Sequence, residues 1–222
     1  MTDLVRRYPR IDGLRVNFVA SVDGAVAVDG LSAALSSPTD KAVFRILRMV
    51  CDALLVGAGT FRHENYRPLT LDAQRREWRN RSGLSAYPCL VVFSKSLDLD
   101  PEHPALRDAP VRPLIVTPAD PGDHPLSRVA DLIVAADPVA AVSALRERGM
   151  TSLLCEGGPG LLGMLSGAGL VDEVCLTVSP LLAGPGADRI VTGTPHAPRR
   201  MRLVHAFAAD DGMLLTRWNR AI

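Results

Sequence analysis

An excess of charge of either sign is missing from this chain. Its 25 Lys and Arg stand against 24 Asp and Glu, for a formal net charge of +1, and no basic block breaks the balance. Binding to a phosphate backbone depends on clustered Lys and Arg, so nucleic acid is not expected as a partner. Long apolar runs are missing too. None approaches the roughly 20 residues that span a bilayer, and the opening stretch from Met1 to Gly13 has no signal-like apolar core. No membrane partner is therefore expected, and the expected location is the cytoplasm. Cysteine is sparse. Cys51, Cys89, Cys155 and Cys175 lie far apart, three of them inside apolar runs, as buried thiols do and as a disulfide framework or zinc site does not. The five histidines (His63, His103, His124, His196 and His205) show no H-x-x-x-H spacing, so no metal is expected.

What is there reads as one globular domain, residues 14–222, preceded by a surface arm over 1–13: the 222 residues are 47% hydrophobic. Leu14 to Ser21 alternates as a strand and stops before the Asp23-Gly24 turn. Ser36-Ser37-Pro38-Thr39-Asp40 carries helix-start chemistry, and Val43, Phe44, Leu47 and Val50 then share one face, predicting a helix from about Pro38 to Val50. Apolar strands follow at Asp52 to Gly57, Cys89 to Phe93, Leu114 to Thr117, Leu132 to Ala135 and Leu153 to Cys155. Strands apolar on both faces belong inside a sheet covered by helices, one of which is predicted over Asp137 to Arg148. In the final third, Val174, Leu176 and Val178 alternate with polar neighbours, and two segments across Asp210-Asp211-Gly212 read as an antiparallel hairpin. The fold class is α/β, with a mixed, mostly parallel sheet and an antiparallel C-terminal hairpin. The longest expected loop is Arg62 to Ala86, too long for a mere connection.

Ligands in open α/β sheets bind beyond the carboxyl ends of the strands. Ser152 to Gly163 is a short strand ending at Glu156, a glycine pair, and Pro159 opening a helix. Pro suits the first helical position, and the unpaired N–H groups around Gly158, Gly160 and Leu161 suit a pyrophosphate. A tight turn without a ligand would read the same way. The other strand ends offer Ser21 and Asp23, Gly57 to Thr60, Ser94-Lys95-Ser96, and Thr117. Hydroxyls and an ammonium after a strand suit a phosphate monoester, although a solvated turn is equally compatible. Together they point to an NADP-type dinucleotide whose 2′-phosphate reaches the Ser94 loop.

Several motifs carry a family resemblance. Asn17-Phe-Val-Ala-Ser-Val-Asp-Gly24, Leu47-Arg48, Asp52-Ala-Leu-Leu-Val-Gly-Ala-Gly-Thr60, Glu156-Gly-Gly-Pro-Gly-Leu161 and Leu170 to Gly184 occur in this order. They resemble the reductase domain of bacterial riboflavin biosynthesis enzymes, the RibD C-terminal family, and especially its stand-alone actinobacterial members. The resemblance implies a dihydrofolate-reductase-like fold, NADPH, a ribosylamino-pyrimidine phosphate substrate and a homodimer. Two departures stand out. The zinc deaminase domain of bifunctional members needs H-x-E and P-C-x-x-C, and neither occurs here. Asn17 stands where the bifunctional enzymes usually carry Lys.

Hydride transfer needs a rigidly held cofactor and a proton donor or charge partner. The candidate catalytic acids are Asp40, which resembles in position the acid on the first long helix of dihydrofolate reductases, Asp23, and Glu156. Asp40 could instead serve its helix N-terminus, and Asp23 could simply make a turn. On the substrate side the candidates are Asn17, Ser21, Ser32, Arg48 and Glu156; the resemblance assigns Ser32, Arg48 and Glu156. Arg48 could otherwise be a solvated cation, and the basic stretch Arg67 to Arg81 either reaches the substrate phosphate or is a solvated loop. On the cofactor side the resemblance carries over Thr60, Glu64, Ser94 and the turn Gly157, Gly158, Pro159, Gly160 and Leu161. Gly57, Gly59, Lys95 and Thr117 join them on physical grounds. Three functions are weighed: a pyrimidine reductase of riboflavin synthesis, an NADPH-dependent reductase of another heterocycle such as dihydrofolate, and a non-catalytic nucleotide-binding dimer motivated by Asn17.

Overall fold

The computed structural model describes residues 2–64 and 66–221. The chain runs α1 (Thr2–Arg7), β1 (Gly13–Ser21), α2 (Pro38–Val50), β2 (Ala53–Gly57), α3 (Ala58–His63), α4 (Ala73–Arg81) and β3 (Cys89–Phe93). It continues with α5 (Pro104–Arg107), β4 (Leu114–Thr117), β5 (Asp131–Val134), α6 (Pro138–Glu147), β6 (Ser152–Cys155), α7 (Pro159–Gly167), β7 (Val171–Ser179), β8 (Met201–Ala208) and β9 (Leu214–Arg220). One sheet takes all the strands in the order β5-β4-β3-β2-β6-β1-β7-β9-β8. Every neighbouring pair from β5 to β7 is parallel, and β9 and β8 close the sheet antiparallel. This is the mixed, mostly parallel α/β sheet with an antiparallel C-terminal hairpin that the apolar runs predict.

Apolar residues on both strand faces feed two cores. On one face Val43, Ile46, Leu47 and Val50 of α2 cover Leu54, Val56, Leu90 and Val92. On the other, Val142 and Leu145 of α6 and Leu161, Leu162 and Leu165 of α7 cover Leu14, Val16, Leu55 and Val91. Helix α2 starts where its chemistry predicts: Ser37 accepts from the Asp40 N–H at 3.2 Å, with Pro38 in the first turn. Strand β5 departs from the two-faced pattern. As the sheet edge it leaves Val134 53% exposed.

Two stretches differ from expectation. The N-terminal arm lies half-buried or exposed over most of its length but is anchored through Tyr8. Tyr8 is buried in the core, and the backbone carbonyls of Arg7 and Pro9 accept from Arg217 and Arg15, which converge on the buried Glu173. The segment expected as a loop over 62–86 contains α4, capped by Asp72 accepting from the Arg75 N–H at 2.9 Å. Its Arg79 is fully buried and donates to the carbonyls of Met49, Cys51 and Ser85. A long cation thus satisfies backbone acceptors at the end of α2 that would otherwise be buried unpaired.

Candidate functional site

Strand order builds the site. Insertion of β6 between β1 and β2 sets three carboxyl ends side by side. The Gly57 N–H donates to the Gly157 carbonyl at 2.8 Å, and the Glu156 N–H to the Leu55 carbonyl at 3.1 Å. Val16 pairs with Cys155, so the next residue of β1, Asn17, is carried abreast of Glu156.

Two adjoining cavities open there. The smaller, about 370 Å³, is lined by Asn17, Ser32, Phe44, Arg48, Tyr66 and Glu156, among others. Arg48 reaches Glu156 fork to fork, Nε to Oε1 at 2.8 Å and Nη2 to Oε2 at 2.5 Å. The Glu156 side chain is fully buried while that of Arg48 remains 34% exposed, so the carboxylate is neutralised from the open side. This pairing supplies the donors a buried carboxylate needs. The Arg48 guanidinium lies 6.0 Å from the Phe44 ring centroid and 5.9 Å from that of Tyr66, an aromatic bracket for the cation. Burial holds the Tyr66 hydroxyl well above the usual phenol range, and the charge of Glu156 pushes the same way.

The larger cavity, about 880 Å³, is a groove over the N-terminus of α7. Gly57, Gly59, Thr60 and Glu64 form one wall, Gly158 to Leu161 the floor, and Ala183 to Asp188 the opposite rim. A Cβ placed on Gly59 or Gly160 would meet no atom within 4 Å, so the floor is bare backbone. At Gly158 a Cβ would collide with Thr60 Oγ1, so only glycine fits beneath that hydroxyl. Thr60, Glu64, Gly158 and Pro159 border both cavities. Glu64 also accepts from the Ser32 N–H at 3.1 Å, tying α3 to the segment after β1.

Other candidates lie elsewhere. Asp40 borders neither cavity: it is fully enclosed in the first turn of α2, where Ser36 Oγ donates to it at 2.6 Å. A substrate-facing role for Asp40 is therefore not supported. Asp23 is a clamp rather than an acid. It accepts from Ser21 Oγ and from the backbone N–H groups of Ala183 at 3.1 Å and Gly184 at 2.7 Å. These bonds, the Ser21 hydroxyl first, bring its pKa down to about 2, so it holds no proton to give near neutrality. Ser21 is committed to the same clamp, since its Oγ also accepts from the Ala25 N–H at 2.9 Å; it borders neither cavity. Ser94 and Thr117 are 3% and 2% exposed, and Ser94 Oγ accepts from the Leu97 N–H at 3.1 Å, so their hydroxyls face inward, away from a 2′-phosphate. Lys95 is exposed at the same strand end. In the basic stretch, Arg67 borders the smaller cavity. Arg75, Arg76, Arg79 and Arg81 are engaged with Asp72, the Leu71 carbonyl, buried carbonyls and Glu77 respectively.

Residues 13–215 match the family model of the RibD C-terminal domain. The chain belongs to the RibD C-terminal domain family. A 2,5-diamino-6-ribosylamino-4(3H)-pyrimidinone 5′-phosphate reductase of Archaeoglobus fulgidus is 26% identical over 213 residues, covering 92% of this chain and 97% of that one. Riboflavin biosynthesis protein RibD of Mycobacterium tuberculosis is 29% identical over 168 residues, which are 75% of this chain but 42% of that protein. Among solved structures, a pyrimidine reductase-like protein from Corynebacterium diphtheriae superposes with a TM-score of 0.86 at 26% identity, covering 99% of this chain and 95% of that one. A bifunctional deaminase/reductase of Thermotoga maritima, at 18% identity and TM-score 0.76, shares the fold over 59% of its length. The fold is the dihydrofolate-reductase-like one that the motifs implied.

A RibD C-terminal domain calls for NADPH, and the groove fits it. The bare glycine floor and the N–H groups at the start of α7 are what a pyrophosphate needs. Tyr66, Phe44, Val26 and the 183–188 rim escaped residue-by-residue reading. The rim had a signal in Leu181-Leu182-Ala183-Gly184-Pro185-Gly186, a loop composition directly after a strand. Tyr66 had none, because only the fold turns it toward Glu156.

Proposed function

We propose that this domain is an NADPH-dependent reductase of a 5-amino-6-ribosylamino-pyrimidine 5′-phosphate in riboflavin biosynthesis, converting the ribosyl group to ribityl. One observation carries the reading: a glycine-floored dinucleotide groove and a polar, aromatic-walled cavity share Val26, Thr60, Glu64, Gly158 and Pro159, so cofactor and substrate meet over Gly158 and Pro159. The names of the relatives support the substrate class.

Bound NADPH supplies the hydride. The chain supplies position: α7 and the Gly157–Gly158 turn hold the anion, and Thr60 and Glu64 stand where the two ligands meet. The Arg48–Glu156 pair presents a neutral polar wall. Arg67 is the cation at hand for the substrate phosphate. Neither Asp23, held ionised, nor Asp40, held out of the cavity, serves as proton donor. Reduction of dihydrofolate depended on Asp40 reaching the ring, so that alternative loses its residue. A cytoplasmic homodimer goes with the proposal.

The test is product analysis after incubation with NADPH and either the ribosylamino-pyrimidine phosphate or dihydrofolate. We expect one equivalent of NADPH oxidised per ribitylamino product with the first and no turnover with the second. No oxidation with the pyrimidine would overturn the proposal and leave the non-catalytic reading.

A further inference from the structure

Turning a ribosyl group into ribityl consumes a proton as well as a hydride, and the two aspartates that the sequence suggests for it do not deliver one. Asp23 is held ionised, and Asp40 borders neither cavity. The smaller cavity holds another source. Arg48 and Arg67 keep their protons at any working pH. Glu156 and Glu64 already act as acceptors, the first of the Arg48 guanidinium and the second of the Ser32 N–H. Of the hydroxyls that line the cavity, those of Ser32, Thr60 and Tyr66, the phenol is the most acidic.

Tyr66 is also placed for the task. It stands two residues after Glu64, which borders both cavities, and its Oη donates to Glu156 Oε2 at 3.5 Å. That bond is at the long limit of hydrogen bonding, so the proton points toward the junction of the two cavities without being committed there. Burial first, and then the charge of Glu156, keep the hydroxyl protonated well beyond neutral pH. The Arg48 guanidinium opposes them, and at 5.9 Å from the ring centroid it is the cation beside a phenolate that forms there. Arg67, the next residue, is exposed on the same wall and is the cation for the substrate phosphate, which brings the attached ribosyl chain within reach of Tyr66.

We propose that Tyr66 is the general acid of the reduction, its hydroxyl protonating the ring oxygen O4′ of the ribosyl group as the C1′–O4′ bond breaks. The inference rests on the reductase reading. The electron pair of the breaking bond stays on O4′, which takes the phenolic proton and becomes the 4′-hydroxyl of ribityl. The lone pair of the ribosylamine nitrogen forms a C=N⁺ bond to C1′. C1′ then accepts the hydride, and the pair returns to nitrogen. The phenolate recovers a proton from water through the open cavity, so one NADPH and one proton are consumed per product. An alkoxide is a far stronger base than a phenolate, so the transfer to O4′ runs downhill even from a phenol whose pKa is raised.

The test compares wild type and Tyr66→Phe, which keeps the ring beside Arg48, on two substrates. One is the ribosylamino-pyrimidine phosphate. The other is its 4′-deoxy analogue, which has no O4′, cannot close the furanose and reaches the site as the open-chain imine. We expect kcat of Tyr66→Phe on the first to fall about 100-fold, the lower end of what a general acid contributes. On the analogue the two proteins should agree within about threefold. Substrate affinity measured without cofactor, NADPH affinity and the thermal midpoint should all match wild type. Unchanged kcat on the ribosyl substrate would overturn the proposal. An equal loss on both substrates would also overturn it, since the proton would then not go to O4′. A loss matched by weaker substrate binding or a lowered midpoint would make Tyr66 a wall of the cavity and nothing more. If wild type oxidises no NADPH with either substrate, the reductase reading itself fails and the role of Tyr66 falls with it.

Discussion

Asp40 shows how a carboxylate can sit close to a site without taking part in it. Phe44 and Arg48, one and two turns further along α2, border the cavity, and Asp40 lies on the same helical stripe. At the first turn, however, that stripe passes beneath the sheet and is sealed from solvent. One oxygen accepts from Ser36, and Oδ1 has no partner among the described residues. Burial raises its pKa above the ordinary carboxylate range, against the opposing pull of the Ser36 hydroxyl. Because the folded state holds this proton more tightly than the unfolded chain, the associated stability is fully present below the unfolded carboxylate value, about 3.9. It is lost as pH rises through the raised folded value. Asp40→Asn should therefore raise stability at neutral and alkaline pH, with the gain closing as pH falls. Urea unfolding at a series of pH values reads this directly. Turnover should stay within a few-fold of wild type; a loss of 100-fold or more would return Asp40 to the chemistry.

The α3 and α7 elements work as one unit, because each closes the other's end. The Gly57 N–H, at the start of α3, donates to the Gly157 carbonyl, and Gly158, which precedes α7, lies under Thr60 Oγ1. Adding a methyl at Gly158 pushes Thr60 away from the groove and shifts the start of α7. Gly158→Ala should weaken NADPH binding at least 10-fold and cost about 1–3 kcal/mol of stability, the usual range for overpacking. Thr60→Ala in the same chain should recover part of the stability, because the two side chains share one space, and the double-mutant cycle measures that coupling. Additive effects would mean the contact is unimportant. The glycine pair with Pro159 made the start of α7 legible in sequence. Helix α4 was not legible, since Ala73 to Arg81 is almost wholly polar and lacks the apolar periodicity that marks a helix; its reason for folding is Arg79 reaching buried carbonyls on another element. The anchoring of the N-terminal arm escaped for the same reason, because it depends on Arg15, Glu173 and Arg217, far apart in the chain.

At the scale of the whole molecule, the mixed sheet follows from local pattern, and the site follows from strand order. Apolar runs at β2, β3 and β4 declare strands covered on both faces. Nothing local says that β6, about 95 residues after β2, returns between β2 and β1. That placement alone brings Asn17, Thr60, Glu64 and Glu156 together; before folding, only the family resemblance could pair them. The groove it creates is walled by α3, α7 and the 183–188 rim, and the rim is held to the end of β1 by Asp23. A dinucleotide seated there bridges segments that otherwise separate on unfolding, so it should stabilise the whole domain by mass action. At 100 times the dissociation constant the gain is about 2.7 kcal/mol. For a domain of this size each kcal/mol is worth about 2–4 °C, so NADPH should raise the thermal midpoint by roughly 5–11 °C. NADH at the same concentration separates the two parts of the cofactor. With Ser94 and Thr117 turned inward, any preference for the 2′-phosphate falls to exposed Lys95. The NADPH shift should exceed the NADH shift in wild type, and Lys95→Ala should bring the two together while leaving the NADH shift unchanged. Equal shifts in wild type would remove Lys95 from the cofactor site, whereas no shift with either nucleotide would remove the cofactor from the groove.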